Sequence, residues 1–177
     1  DVEQRVGWWE REAADFCRKG RFFDFWRWLK QLPKSAYQQS LPLLLYRFSF
    51  LMQLGDNRKA YQGLLEGFEH LPPLSSEPSA EELGCRAFLK ACKARFDNEP
   101  KHVLQETKVA IHHLQEVHPF LRMEAEFWMC RAMIAKHGFT GEGEAHMLRM
   151  HNQCLRNGNL YHLPMITELM ATTCLIS

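Results

Sequence analysis

Between residues 22 and 32 the apolar side chains Phe22, Phe25, Trp26, Leu29 and Leu32 recur at i, i+3, i+4, i+7 and i+10, and Trp28 widens the stripe from its edge. That spacing puts them on one face of an α-helix, with Phe23 off the stripe and expected in solvent. The same period continues along the chain. It is interrupted near Gly20, Pro33, Gly55, Pro72 and Pro73, in the loop "PPLSSEPS", and near Asp97, Pro119, Gly138, "TGEG" and "NGN". No stretch between these breaks alternates apolar and polar residues as a strand would. The pattern therefore predicts an all-α chain with helices at about 6–19, 22–32, 40–54, 57–71, 80–95, 99–117, 119–137, 142–157 and 160–175.

The turns repeat. "KGRFFDFW", "LGDNRKAY", "RFDNEPKHV" and "HGFTGEGEA" each close one apolar helix and open another, at intervals of 35 to 42 residues. A period of that length marks stacked helical hairpins. In the second copy Gly55, Ala60, Gly67 and Pro72 occupy the places where tetratricopeptide repeats carry a turn glycine, two small residues for close helix packing and a closing proline. In the first, Trp9, Ala13, Phe16 and Gly20 match the large, small, aromatic and turn positions; the third and fourth copies are longer variants. The expected fold is a tetratricopeptide-like α-α superhelix, one domain over residues 1–177 with about four hairpins and a final helix.

Composition narrows the function. Of 177 residues, 46% are hydrophobic and 24% charged, and the net charge is +1. That is ordinary for a chain with one substantial core, and it lacks the basic excess that holds a phosphate backbone. No direct nucleic-acid contact is expected. The aromatic run at 22–28 is thus read as packing, since Arg21, Arg27 and Lys30 alone supply neither a stacking groove nor a membrane-surface face. No run reaches the eighteen or so apolar residues of a membrane span, and the start is unlike a signal peptide. The expectation is a cytoplasmic protein without membrane contact. Cys17, Cys85, Cys92, Cys130, Cys154 and Cys174 show no CxxC pair and sit in apolar helical patterns, so buried thiols are expected.

The stretch "DFWRWLKQLPKSAYQQSLPLLLYRFSFLMQLGDNRKAYQGLLEGF" resembles the tetratricopeptide-like region of large ATP-dependent LuxR-type transcriptional activators, the MalT-like regulators. The resemblance rests on Trp28, Leu29, Leu32 and Pro33, then Leu43, Leu44 and Leu45, then Gly55, Asp56 and Ala60. "FDNEPKHVLQETKVAIHHL", "PFLRMEAEFWMCRAMIAKHG" and "EAHMLRMHNQCLRNGN" are similar to that family's longer repeats. The resemblance implies an inducer-sensing region between a nucleotide-binding module and a helix-turn-helix. This chain departs from the whole, having no GxxxxGK[ST] loop and no basic recognition helix. It starts in mid-pattern without methionine and ends on an apolar helix, which suggests an excised fragment.

No GxSxG, HExxH, GxGxxG or CxxC motif is present, so no enzymatic activity and no cofactor are expected. Nine histidines include His112, His113 and His118, but no two of these lie three or four residues apart, and His146 and His151 are five apart. They are read as solvated or core-satisfied, not as metal ligands.

Binding remains. The repeat register lays Glu10, Ala14 and Arg18, then Leu45, Ser49, Met52 and Gln53, then Arg86, Lys90 and Lys93, then Trp128 and Ala132 along one concave surface. Arg86, Lys90 and Lys93 form a basic ridge that suits an anionic ligand or acidic peptide, with Trp128 as an apolar wall or sugar-stacking plate and Gln53 among the ligand-binding residues. Charge rows on solvated helix faces and tryptophans in cores are the plainer readings of the same residues. Two functions follow. One is the regulatory sensor of a MalT-like activator, taking a small-molecule inducer or a regulatory protein and signalling to neighbouring domains of the parent regulator. The other is a free-standing tetratricopeptide adaptor or secretion chaperone that holds an extended peptide. Ile166, Leu169, Met170, Leu175 and Ile176 leave an apolar face at the end of the array, from which pairing into a homodimer is expected.

Overall fold

The computed structural model of the protein describes residues 8, 12, 13, 15, 16, 19, 21–114, 118–138, 141–159 and 161–174. Among these residues the chain is all-helical, without a strand, and forms nine helices. They are α1 (Phe22–Leu29), α2 (Lys34–Gln39), α3 (Leu41–Gln53), α4 (Asn57–Glu69), α5 (Ala80–Phe96), α6 (Pro100–His113), α7 (Pro119–His137), α8 (Gly141–Asn157) and α9 (His162–Cys174).

These are not the nine that periodicity predicts. The expected helix at 6–19 falls largely outside the described residues, though Ala13 is buried and Phe16 stacks on Phe25 with centroids 5.9 Å apart. Trp9 and Gly20 lie outside them, as do the expected surface residues Glu10, Ala14 and Arg18. The additional helix is α2, built from the polar spacer "KSAYQQ". Its start follows Pro33, and it stops at Ser40, whose extended backbone lets its hydroxyl cap α3 by accepting from the Leu43 N–H at 3.2 Å. α1 also ends three residues early. Proline disfavours α geometry in the residue before it, so the chain tightens through Gln31 and Leu32 into short-range turns ahead of Pro33.

The second repeat's turn follows its sequence. Gly55 has φ 75°, a backbone setting natural to glycine, and Asp56 caps α4 by accepting from the Lys59 N–H at 3.3 Å. Gly67 lies where α4 comes close to α3: a Cβ there would meet a terminal methyl of the Leu44 side chain.

α3 is the centre of the fold. Its sequence "LPLLLYRFSFLMQ" is apolar nearly all round, and it packs against α1, α2, α4, α5 and α7. Tyr46 meets Phe25 and Phe120 at 5.5 and 5.0 Å, and Phe50 meets Tyr161 at 5.6 Å, which joins α1, α3, α7 and the turn before α9. Each such aromatic pair adds about 0.5–1.5 kcal/mol beyond the apolar area it buries. This corrects the open concave surface expected from the repeat register. Leu45 and Ser49, placed there by sequence, are buried, because helices distant in the chain close over that face. The aromatic stripe of α1 behaves as read: Phe25 and Leu29 are buried, Phe22, Trp26 and Trp28 half-buried, and Phe23 exposed.

A second cluster joins α7, α8 and α9 through Phe127, Met147, Met150 and Ile166. Leu169 and Met170 pack against it half-buried, and Ile166 is buried, so of the expected dimer face Ile166 is turned inward. Leu175 and Ile176 lie outside the described residues. Cys85, Cys92, Cys130 and Cys154 are buried. Burial pushes the Cys130 thiol up to about 12 and the Cys154 thiol up to about 11, and raises Cys92 as well, so these three stay protonated at neutral pH. No helix among the described residues is long and apolar enough to cross a membrane.

Candidate functional site

Where the end of α3 approaches α7 and α9, a groove of about 380 Å3 opens. α9 supplies Met165, Glu168, Leu169 and Thr172, at i, i+3, i+4 and i+7, hence one face of one helix. α7 supplies Phe127, Trp128 and Arg131, and the last turn of α3 supplies Met52 and Gln53. Gln53 reaches across to donate its amide to the Met165 thioether.

Trp128 is the centre of this groove's chemistry. It is 6% exposed, and among the described residues its indole N–H has no hydrogen-bond partner. A buried donor left unpaired costs about 1–3 kcal/mol. Two guanidiniums stand against the same ring, Arg95 at 5.7 Å and Arg131 at 5.6 Å from its centroid. Neither is ion-paired among the described residues. Burial holds Arg131 below its usual basicity and the like charge of Arg95 adds to this, while Glu168 opposes it. Arg131 also lines an adjoining hollow of about 200 Å3 with Arg95, Asn98 and Glu99. Arg131 and the unmatched N–H at the groove, with Arg95 in the adjoining hollow, together make a place that an anion with a further acceptor would satisfy.

Of the residues that sequence singles out, Trp128 and Gln53 meet in this groove and the basic ridge does not join them. Arg86 is occupied elsewhere. Its side chain is 14% exposed, paired with Glu82 at 2.9 Å, and it donates to the Pro72 and Pro73 carbonyls at 2.6 and 3.2 Å. It therefore clamps the loop between α4 and α5. Lys93 pairs with Asp97 at 2.5 Å, and that bond raises its pKa. Lys90 is exposed and borders neither the groove nor the hollow. Ala132 is buried beside Val103.

The cations against the Trp128 ring, Arg95 and Arg131, are absent from the sequence reading, and a local signal exists for Arg131 alone, since Arg95 has Glu99 at i+4. Arg86 has Glu82 at i−4 and Lys93 has Asp97 at i+4, so both have a carboxylate one helical turn away. Arg131 has none at i±3 or i±4, and instead has Phe127 and Trp128 there.

Two buried histidines bear on the groove's support. His162, 0% exposed, holds the 2% exposed Glu124 at 3.0 Å through Nε2, with the Asn159 side chain at Nδ1. His118, also buried, holds Glu81 at 3.0 Å. The first bond fastens the start of α9 to α7; the second ties the residue before α7 to α5. Their partners lie 38 and 37 residues away in sequence, so helical spacing gave no sign of either. Among the described residues no three of His, Cys, Asp and Glu come together as metal ligands. Compared with protein-family models, curated proteins and solved structures, the chain gives no match.

Proposed function

We propose that this chain is the sensor region of a MalT-like LuxR-type transcriptional regulator, a tetratricopeptide-like array working in the cytoplasm, and that it binds an anionic effector in the groove beside Trp128. The observation that carries the binding half of this reading is two guanidiniums, without an ion pair among the described residues, set against one buried indole whose N–H has no acceptor among them. The regulatory half rests on the sequence resemblance. An effector seated between α3, α7 and α9 would touch three helices that are far apart in the chain, and so bias how they pack for the neighbouring domains. It needs no catalytic group. The peptide-holding adaptor is less well supported, because the buried Leu45 and Ser49 leave only Met52 and Gln53 of α3's expected inner face at this groove.

The test is titration of small carboxylates and phosphate esters, followed by calorimetry and by the Trp128 indole resonance. Trp128→Phe keeps the ring and removes the N–H; Arg131→Ala removes one cation. Each should weaken binding by about ten- to a hundredfold while helicity and melting temperature hold. Unchanged affinity in Trp128→Phe, Arg131→Ala and Gln53→Ala alike would place the effector elsewhere.

A further inference from the structure

The last turn of α3 is a wall shared by two spaces. Met52 and Gln53 line the groove described above, whereas Leu51 and Leu54 line a cleft of about 550 Å3 bounded by α1, α2 and α4. That volume is within the roughly 300–1,000 Å3 of small-molecule sites. Its charges do not balance. Lys30, Lys34, Arg47 and Lys59 face it, against Asp56 and Glu66.

Both carboxylates are already occupied. Glu66 holds Lys34 at 3.1 Å, and Asp56 holds the Lys59 ammonium at 2.6 Å while also capping α4. Among the described residues Lys30 and Arg47 have no carboxylate partner and stand against aromatic faces: Lys30 is 5.7 Å from the Trp26 ring and Arg47 4.6 Å from the Tyr37 ring. Tyr37 offers no compensating charge. Its hydroxyl donates to the Leu29 carbonyl, and burial pushes its pKa up to about 12, so it remains a neutral phenol. Trp26 stacks on Phe50 at 5.9 Å, which fixes it as an apolar wall. A concave space with two aromatic walls and two uncompensated cations selects a ligand that is both anionic and flat.

We propose that this cleft is a second binding site, for a small aromatic anion whose carboxylate or phosphate is held by Arg47 and Lys30 and whose ring lies between Trp26 and Tyr37. It does not depend on the effector groove, since the cations of the two sites are different residues.

The experiment uses phenyl phosphate as the probe, with inorganic phosphate and phenol as its two halves, followed by calorimetry and by the Trp26 indole resonance, assigned through its loss in Trp26→Phe. Phenyl phosphate should bind saturably and shift that resonance, and should bind more tightly than inorganic phosphate, while phenol should not bind measurably. Arg47→Gln and Lys30→Gln should each lower affinity about tenfold, and Arg131→Gln should leave it unchanged. Lys30 is exposed, so its variant keeps the fold even where Arg47→Gln perturbs the packing on Tyr37. Three outcomes would overturn the site: no saturable shift at Trp26, undiminished binding in both variants, or inorganic phosphate binding as well as phenyl phosphate.

Discussion

Gly67 and Gly84 both lie inside helices where a neighbour approaches closely, yet alanine should have opposite effects at the two. In a helix interior, replacing glycine by alanine stabilises by about 1 kcal/mol through backbone entropy. Against that stands the space for one methyl group. At Gly84 of α5 a Cβ would lie 2.7 Å from Leu114 Cγ, 2.8 Å from its Cδ2 and 3.1 Å from His113 Cβ. The first is about 0.8 Å short of an ordinary carbon contact. Leu114 is fully buried at the end of α6, so its side chain has little room to turn, and His113 Cβ is fixed to the backbone of α6, so relief requires shifting α6. Overpacking of that kind costs about 1–3 kcal/mol, leaving Gly84→Ala destabilised by up to about 2 kcal/mol. At Gly67 of α4 the obstacle is chiefly Leu44 Cδ2, a terminal methyl, and Gly67 and Leu44 both border the cleft of about 510 Å3 between α2, α4 and α5. Leu44 can turn into that space, so Gly67→Ala should be neutral or stabilised by up to about 1 kcal/mol. Urea denaturation of both variants beside the parent measures the contrast. Gly84→Ala at or above parental stability, or Gly67→Ala falling below Gly84→Ala, would refute the reasoning.

Removing the imidazole in His162→Ala leaves the Glu124 carboxylate buried without its partner, and stability should fall by about 3–5 kcal/mol in urea denaturation; a loss under about 1 kcal/mol would show that water reaches Glu124. The loop clamp should titrate. The Ser75 hydroxyl, first, and then Arg86 hold Glu82 below its ordinary value of 4.5, so its stabilisation is complete above that value and is lost as pH falls through the lowered one. The stability gap between the parent and Glu82→Gln should therefore be constant near neutral pH and close on acidification, and a gap independent of pH would contradict the assignment.

Local periodicity and turn chemistry were enough to determine that the chain is all-helical and where most helices lie, because 3.6-residue spacing and the punctuation at Gly55, Pro33 and Pro119 act over one or two turns of chain. The buried stripe of α1, the small residue at Gly67 and the burial of Cys85, Cys92, Cys130 and Cys154 were legible for the same reason. α2 was not, since six mostly polar residues carry too short a pattern to show a period. Which faces meet was decided by tertiary structure. A helix apolar on nearly every side, such as α3, gives no direction to its neighbours, and the packing of five helices around it left Leu45 and Ser49 buried, with the Tyr161 hydroxyl donating to the Ser49 carbonyl. The same packing brought Gln53 to Trp128, set Arg95 and Arg131 against one ring, and joined His162 to Glu124. Contacts between residues tens of positions apart depend on how helices cross, and helical spacing within one segment holds no record of that crossing.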